Sequence, residues 1–217
     1  SRTALLDLFL TFFVLLATYF WLENRYLLTG LSLGLAVATK WSALYFISLF
    51  ILVSLYRIFT FYELKNMPRA LIKKIVSLGF LPMAIYIASW WGWFKSNRGW
   101  DRHWSPNVLK SFWHYHAEIL NFHTTLTQKH SYQANPWSWS LMLRPTSFFY
   151  STPKNCGAAQ CSQEVLALGT PLLWWAGTIA MLVVLGLWIS SAYQRKRDRA
   201  LTFIVGGIVA GYVPVSY

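Results

Sequence analysis

Acidic side chains are scarce in this sequence. Only 7 Asp and Glu stand against 19 Lys and Arg, and charged residues of both signs make up 12% of the 217 positions. Soluble domains carry about a quarter, so an ordinary water-facing surface is excluded. Cysteine is scarcer still, with 2 residues, Cys156 and Cys161. A metal pair built on them needs two further ligands nearby, and none is obvious. No Walker loop, Rossmann fingerprint, nucleophile elbow or HExxH occurs, so nucleotide or energy chemistry is not indicated. Repeats, low-complexity tracts and a signal peptide are also missing. The first residue is Ser and the last ones, GGIVAGYVPVSY, stop inside an apolar run, which reads as an internal fragment of a longer membrane protein.

What fills the chain is apolar: 56% of residues are hydrophobic and 18% aromatic. The net charge of +12 would suit nucleic acid if it were spread over a surface. Instead the cations cluster at the ends of apolar runs, a signal of membrane topology. Residues 4–22 have the length of one crossing. Residues 27–60 are almost continuously apolar but broken at Lys40. At about 1.5 Å per residue that stretch is too long for one helix and short for two full crossings, so two short helices (27–39 and 41–60) should meet at Lys40-Trp41. Residues 75–94 span again, with a kink expected at Pro82. A polar, aromatic segment follows over 95–164, then spans at 165–190 and 200–217. The expected fold is an all-α polytopic membrane protein: helices over 1–94, an outward loop region with an interfacial helix over 95–164, and helices over 165–217.

KNMPRALIKK (65–74) and QRKRDR (194–199) are the densest basic loops, which assigns both to the cytoplasm. The 95–164 segment then faces outward, and Lys40, Trp41 and the region of Asp7 share that outer side. A lysine inside an apolar run is costly and is usually kept for a partner. Lys40 suits an anionic head group such as a lipid phosphate, unless it merely snorkels. Asp7 suits pairing with Arg2 or Lys40, contact with substrate, or stabilisation of its own helix.

Residues 112–123, FWHYHAEILNFH, concentrate three histidines and a glutamate. At about 100° per residue, His114, Glu118 and Asn121 share one helix face, while His116 and His123 lie roughly opposite beside Phe112 and Ile119. Zinc needs converging ligands, so a metal site is not expected. The segment reads as an amphipathic helix on the membrane surface, its polar face suited to a hydroxyl-rich ligand. HSYQANPWSW (130–139), which includes His130, Tyr132 and Trp137, mixes rings, hydroxyls and amides in a way that suits a sugar. GWDRHW (99–104) reads as an anchor. Cys156 and Cys161 lie on the outward side, where a disulfide is permitted.

The strings SRTALLDLFLTFF, GLSLGLAVATKWSALYF, SFWHYHAEILNFHTTLTQKHSYQANPWSW and CSQEVLALGTPLLWW, in this order and spacing, resemble the protein O-mannosyltransferase family of GT-C membrane glycosyltransferases, and most closely its bacterial branch. The resemblance covers almost the whole chain. It implies inverting transfer of mannose from polyprenyl-phosphate-mannose to Ser or Thr hydroxyls of secreted proteins, at the outer face of the cell membrane. Lys40-Trp41 matches the family's Lys-Trp motif, whose lysine is expected to grip the lipid phosphate. Asp7 matches the Leu-Asp of an early helix. His114, His116, Glu118, His130 and Tyr132 match the outward loop after the central spans. The β-trefoil insert of eukaryotic relatives has no counterpart.

One departure is important. The family's Asp-Glu pair, expected to supply the general base, belongs to an outward loop ahead of Ser1. The catalytic base is therefore unassigned, and this stretch alone is expected to be inactive. No cofactor is established; a divalent cation stays open, but nothing in the sequence indicates one. Expected partners are the lipid-linked donor, a Ser/Thr-rich secreted acceptor, membrane lipids and the secretion machinery, with no nucleic acid. Two other readings compete: a related transferase using a different polyprenyl-phosphate sugar or acceptor, and a transporter, since transporters also use broken helices and intramembrane charges. A transporter gives no reason for a long outward segment rich in Trp, Tyr and His.

Overall fold

Apolar runs of helical length dominate the chain, and helices dominate the structure, a computed structural model that describes residues 5–61, 65–127, 134–153, 156–157, 161–196 and 198–212. The chain divides into two compact units, Ser1–Leu126 and Thr127–Tyr217.

In the first unit, α1 (Leu6–Leu22), α2 (Tyr26–Thr39) and α3 (Ala43–Phe61) are followed by α4 (Met67–Lys74) and α5 (Leu81–Ser89). A π-helical stretch, Ile75–Phe80, joins α4 to α5 into one continuous helix. Pro82 sits at the start of α5 and has no N–H to give the preceding turn. The disturbance expected there takes the form of this wider turn, which re-pairs the backbone without breaking the helix. A short α6 (Trp91–Lys95) and the long α7 (Val108–Thr125) complete the unit. Asn107 caps α7, its side-chain oxygen accepting from the N–H groups of Leu109 at 2.9 Å and Lys110 at 3.3 Å.

The interior of this unit is built around α2. Thr29, Gly30, Ser32, Leu33, Gly34, Ala36 and Val37 are buried, while Leu8, Phe9, Phe12 and Leu15 of α1 are exposed. In lipid, helices gain little from burying apolar surface against each other, so small residues that allow close approach take over. Gly30 and Gly34 do this. A Cβ on Gly30 would lie 2.0 Å from the Ser77 carbonyl oxygen, and one on Gly34 would lie 2.6 Å from Ile85 Cβ. The hydroxyls of Thr29, Ser32 and Thr39 donate to carbonyls one turn back, so none is stranded away from water.

The second unit holds the short helix α8 (Pro136–Trp139), strands β1 (Thr146–Ser151) and β2 (Gln163–Ala167), and helices α9 (Pro171–Tyr193) and α10 (Arg199–Tyr212). β1 and β2 pair antiparallel from Thr146↔Ala167 to Ser151↔Gln163, with an irregularity between Ser147 and Phe149. This ribbon is an addition to the expected helices. β1 (TSFFYS) carries three aromatic residues, which favour the pleated surface, while β2 (QEVLA) contributes Val165. Cys156 and Cys161, in the connection between the strands, are joined by a disulfide with Cα atoms 6.3 Å apart. Trp174 donates its indole N–H to the Trp139 carbonyl, and Thr178 its hydroxyl to the Ser140 carbonyl at 2.8 Å.

Among the described residues, three helices are long and apolar enough to cross a membrane: Ala43–Phe61, Met67–Ser89 and Pro171–Tyr193. Three shorter apolar helices accompany them: Leu6–Leu22, Tyr26–Thr39 and Ala200–Tyr212. No residue of α9 is buried. An apolar helix of this length with no buried residue is stable in lipid and not in water.

Candidate functional site

α2 ends because Lys40 leaves the helical region. Its backbone is extended, at φ −158° and ψ 134°, while its N–H still donates to the Ala36 carbonyl. α3 resumes at Ala43, whose N–H donates to the Lys40 carbonyl at 3.1 Å. The resulting turn holds Lys40, Trp41 and Ser42. Because α1 and α2 run antiparallel, the end of α2 lies beside the start of α1, where Asp7 occupies the first turn. Lys40 Nζ donates to Asp7 Oδ1 at 2.7 Å. Both charges complement the dipoles of their helix ends. The pair is open, with side chains 45% and 58% exposed. An ammonium has three donor hydrogens, and this contact uses one of them. Lys40 makes no other side-chain hydrogen bond among the described residues.

The neighbouring Trp41 points into the protein. Its indole N–H donates to the Tyr86 hydroxyl oxygen at 2.9 Å, and that hydroxyl lies 2.7 Å from His116 Nε2. His116 Nδ1 is 2.8 Å from the Phe112 carbonyl. A carbonyl only accepts, so Nδ1 carries a ring hydrogen; in the neutral imidazole Nε2 then accepts and Tyr86 donates to it. The bonds therefore run in one direction, from Trp41 through Tyr86 and His116 to the backbone of α7. Aromatic rings pack around this line. His116 stacks with Trp41 at a centroid distance of 5.7 Å and an interplanar angle of 18°. Phe112 is 4.2 Å and Trp90 4.9 Å from the same imidazole.

His114 turns the other way on α7, as the helical spacing predicts. Its ring stacks on Trp104 at 4.0 Å, with Nε2 3.9 Å from Asp101 Oδ2. A groove of about 460 Å³ runs here, lined by Trp104, Asn107, Leu109, Lys110, Trp113, His114 and Ala117. GWDRHW is bonded to the neighbouring α6. Trp93 donates to the Trp100 carbonyl at 2.9 Å, and Arg102 donates to the Phe94 carbonyl and lies over the Trp93 ring.

The structure thus joins Asp7 to Lys40, and Trp41 to His116 through Tyr86, while His114 goes to Asp101 and Trp104. Glu118 and Asn121 are exposed on α7, with no side-chain partner among the described residues. His130 and Tyr132 lie outside the described residues, as does the side chain of Trp137, whose backbone belongs to α8. No three His, Cys, Asp or Glu side chains converge among the described residues. Sequence reasoning missed Tyr86. A tyrosine near the end of an apolar run reads as a membrane-interface ring, and only its three-dimensional neighbours distinguish it.

Apolar helices bare on their outer sides, with polar groups gathered at helix ends, define a multi-pass membrane protein. Two family models match it: "Dolichyl-phosphate-mannose-protein mannosyltransferase" over residues 1–96 and "C-terminal four TMM region of protein-O-mannosyltransferase" over residues 108–205. The polyprenol-phosphate-mannose–protein mannosyltransferase of Mycobacterium tuberculosis H37Rv is 30% identical, the match covering 99% of this chain and 51% of that protein. The enzyme of the same name from Corynebacterium glutamicum is 30% identical over 86% of this chain and 40% of its own length. That of Mycolicibacterium smegmatis is 29% identical over 99% and 51%. The chain belongs to the protein O-mannosyltransferase family, as the motifs imply. It spans about half the length of the first curated relatives it matches. No solved structure matches it.

Proposed function

We propose that the protein transfers mannose, with inversion, from polyprenyl-phosphate-mannose to Ser or Thr hydroxyls of secreted proteins, and that Lys40 holds the phosphate of the donor. In this reaction the acceptor oxygen attacks the anomeric carbon, and the bond from that carbon to the phosphate oxygen breaks. The polyprenyl phosphate leaves with the electron pair, and a base takes the hydroxyl proton. The family resemblance gives the base to an acidic pair with no counterpart in this sequence, so neither Asp101 nor Glu118 is assigned to it. What this chain supplies is positive charge at the leaving group.

The observation that carries this reading is the state of Lys40. It stands at a helix end, held at 2.7 Å by one open carboxylate, with two donor hydrogens to spare. Beside lipid such a half-exposed charge is screened less than in bulk water, so it stabilises developing phosphate charge more strongly than it would there. The distribution of cations supports the outer face of the cell membrane for this end. Arg25, Arg57, Arg69, Lys73 and Lys74 gather at the other end of α1–α4, where Lys74 sits over the Tyr26 ring and Arg57 over Trp21. Positive charge of this density marks the cytoplasmic side.

The test is transfer of radiolabelled mannose from polyprenyl-phosphate-mannose to a Ser/Thr-rich peptide by the intact protein in membranes, with a lipid acceptor as a parallel arm. Lys40→Ala should lower peptide transfer about 100-fold or more, the scale of losing one preorganised electrostatic donor, while membrane insertion is unchanged. Near-normal turnover by Lys40→Ala refutes the assignment. Transfer to the lipid acceptor alone moves the protein to a different transferase.

A further inference from the structure

We infer that Tyr86 is a positioning residue for Lys40, resting this on the phosphate-holding role proposed above. Among the described residues two side-chain hydrogen bonds leave the turn between α2 and α3: Lys40 to Asp7 on α1, and Trp41 to Tyr86 on α5. The backbone bonds of the turn are local, from Ala43, Leu44 and Tyr45 back to Lys40, Trp41 and Ser42. They shape the turn without tying it to another helix. A donor phosphate draws on the two spare hydrogens of the same ammonium. Sharing the charge weakens the bond to Asp7, and the tie that keeps its full strength is the one through Trp41.

That tie ends on a braced group. The Tyr86 hydroxyl accepts from Trp41 and donates to His116, whose other nitrogen is bonded to the Phe112 carbonyl. His116 itself is wedged between Trp41, Trp90 and Phe112. The turn carrying Lys40 is thereby referenced to α5 and α7 together. A misplacement of about 1 Å at a group that stabilises a transition state is enough to cost much of its effect. Removing the Tyr86 hydroxyl leaves the ring against Trp90 and His116 but deprives both Trp41 and His116 of their partner.

The experiment compares wild type, Tyr86→Phe, Trp41→Phe and the double variant in mannose transfer. It also records donor and peptide kinetics and the melting temperature of each protein in detergent. Tyr86→Phe should lower kcat/KM for the donor about tenfold, the scale of losing hydrogen bonds inside a structured site. The KM for the peptide should not move, because the lesion lies at the donor phosphate. Trp41→Phe breaks the same bond from the other side, so the double variant should be no worse than the poorer single. Should Tyr86→Phe fail to fold, Trp41→Phe carries the donor-against-peptide comparison alone. Wild-type donor kinetics in Tyr86→Phe, multiplicative losses in the double variant, or an equal rise in peptide KM overturns the inference. The two readings fail separately. Lys40→Ala with normal transfer removes the role of Lys40 itself, whereas normal dependence on Lys40 with an indifferent Tyr86 removes only the positioning.

Discussion

Asp7 and Lys40, 33 residues apart in the chain, meet at 2.7 Å where the start of α1 lies beside the end of α2. An exposed pair of this kind is worth about 0–1 kcal/mol, so its service is orientation more than stability. Asp7→Asn should therefore shift the melting temperature by no more than about 4 °C. It should lower kcat/KM for the lipid-linked donor about two- to fivefold, the kinetic equivalent of that pair energy. Because the pair faces solvent, raising the ionic strength should shrink the difference between variant and wild type. A variant deficit that persists in high salt assigns Asp7 a direct contact with substrate.

The packing of α2 makes a separate prediction. A Cβ on Gly30 meets the Ser77 carbonyl oxygen at 2.0 Å, a backbone atom that no side-chain rotation relieves. Gly30→Ala should destabilise the helix bundle by about 1–3 kcal/mol through overpacking, read as a fall in melting temperature in detergent. Gly79 lies on the same continuous helix as Ser77, and a Cβ added there would meet nothing within 4 Å. Gly79→Ala should leave the melting temperature unchanged or raise it slightly. Equal tolerance at both positions removes close helix contact as the reason for glycine at 30.

The polar face of α7 can be divided by two substitutions. His114 is stacked on Trp104 beside Asp101 and the groove, while Glu118 has no partner among the described residues. Both His114→Ala and Glu118→Gln should lower mannose transfer without changing expression. His114→Ala should also cost about 1 kcal/mol of stability, through loss of the stacked ring. If neither variant changes the kinetics, α7 serves only as an interfacial anchor.

Much of this was legible in the sequence because lipid simplifies the code. Long apolar runs set α3, α9 and the apolar part of the helix Met67–Ser89, and a lysine in such a run marked the break between α2 and α3; the span expected over 75–94 in fact begins at Met67, inside the basic segment 65–74 that reads as a loop. Asp7 and Lys40 stood out because charge in an apolar run is rare and costly. Helical spacing separated His114 from His116, and the structure sends them to different neighbours. Tyr86 was not legible, since its value comes from Trp41, 45 residues before it, and His116, 30 residues after it. The β1–β2 ribbon was hidden for a related reason. Two strands of 6 and 5 residues are too short to separate by pattern from aromatic loops, and their pairing partners are not adjacent in sequence.

The membrane face of Lys40 is the point on which the chemistry turns, and it can be measured without any enzymatic assay. Lys40 and Asn66 lie beyond opposite ends of α3: Lys40 between α2 and α3, Asn66 just before α4. In a Cys156→Ser/Cys161→Ser background, single cysteines at these positions give one reporter for each side. A membrane-impermeant maleimide applied to intact cells should label Lys40→Cys and spare Asn66→Cys until the membrane is permeabilised. The physical basis is the cation density around Asn66, where Arg57, Arg69, Lys73 and Lys74 make outward transfer of that end unfavourable. The opposite labelling pattern puts the ammonium at the cytosolic surface, away from secreted acceptors, and removes the proposed reaction from this site.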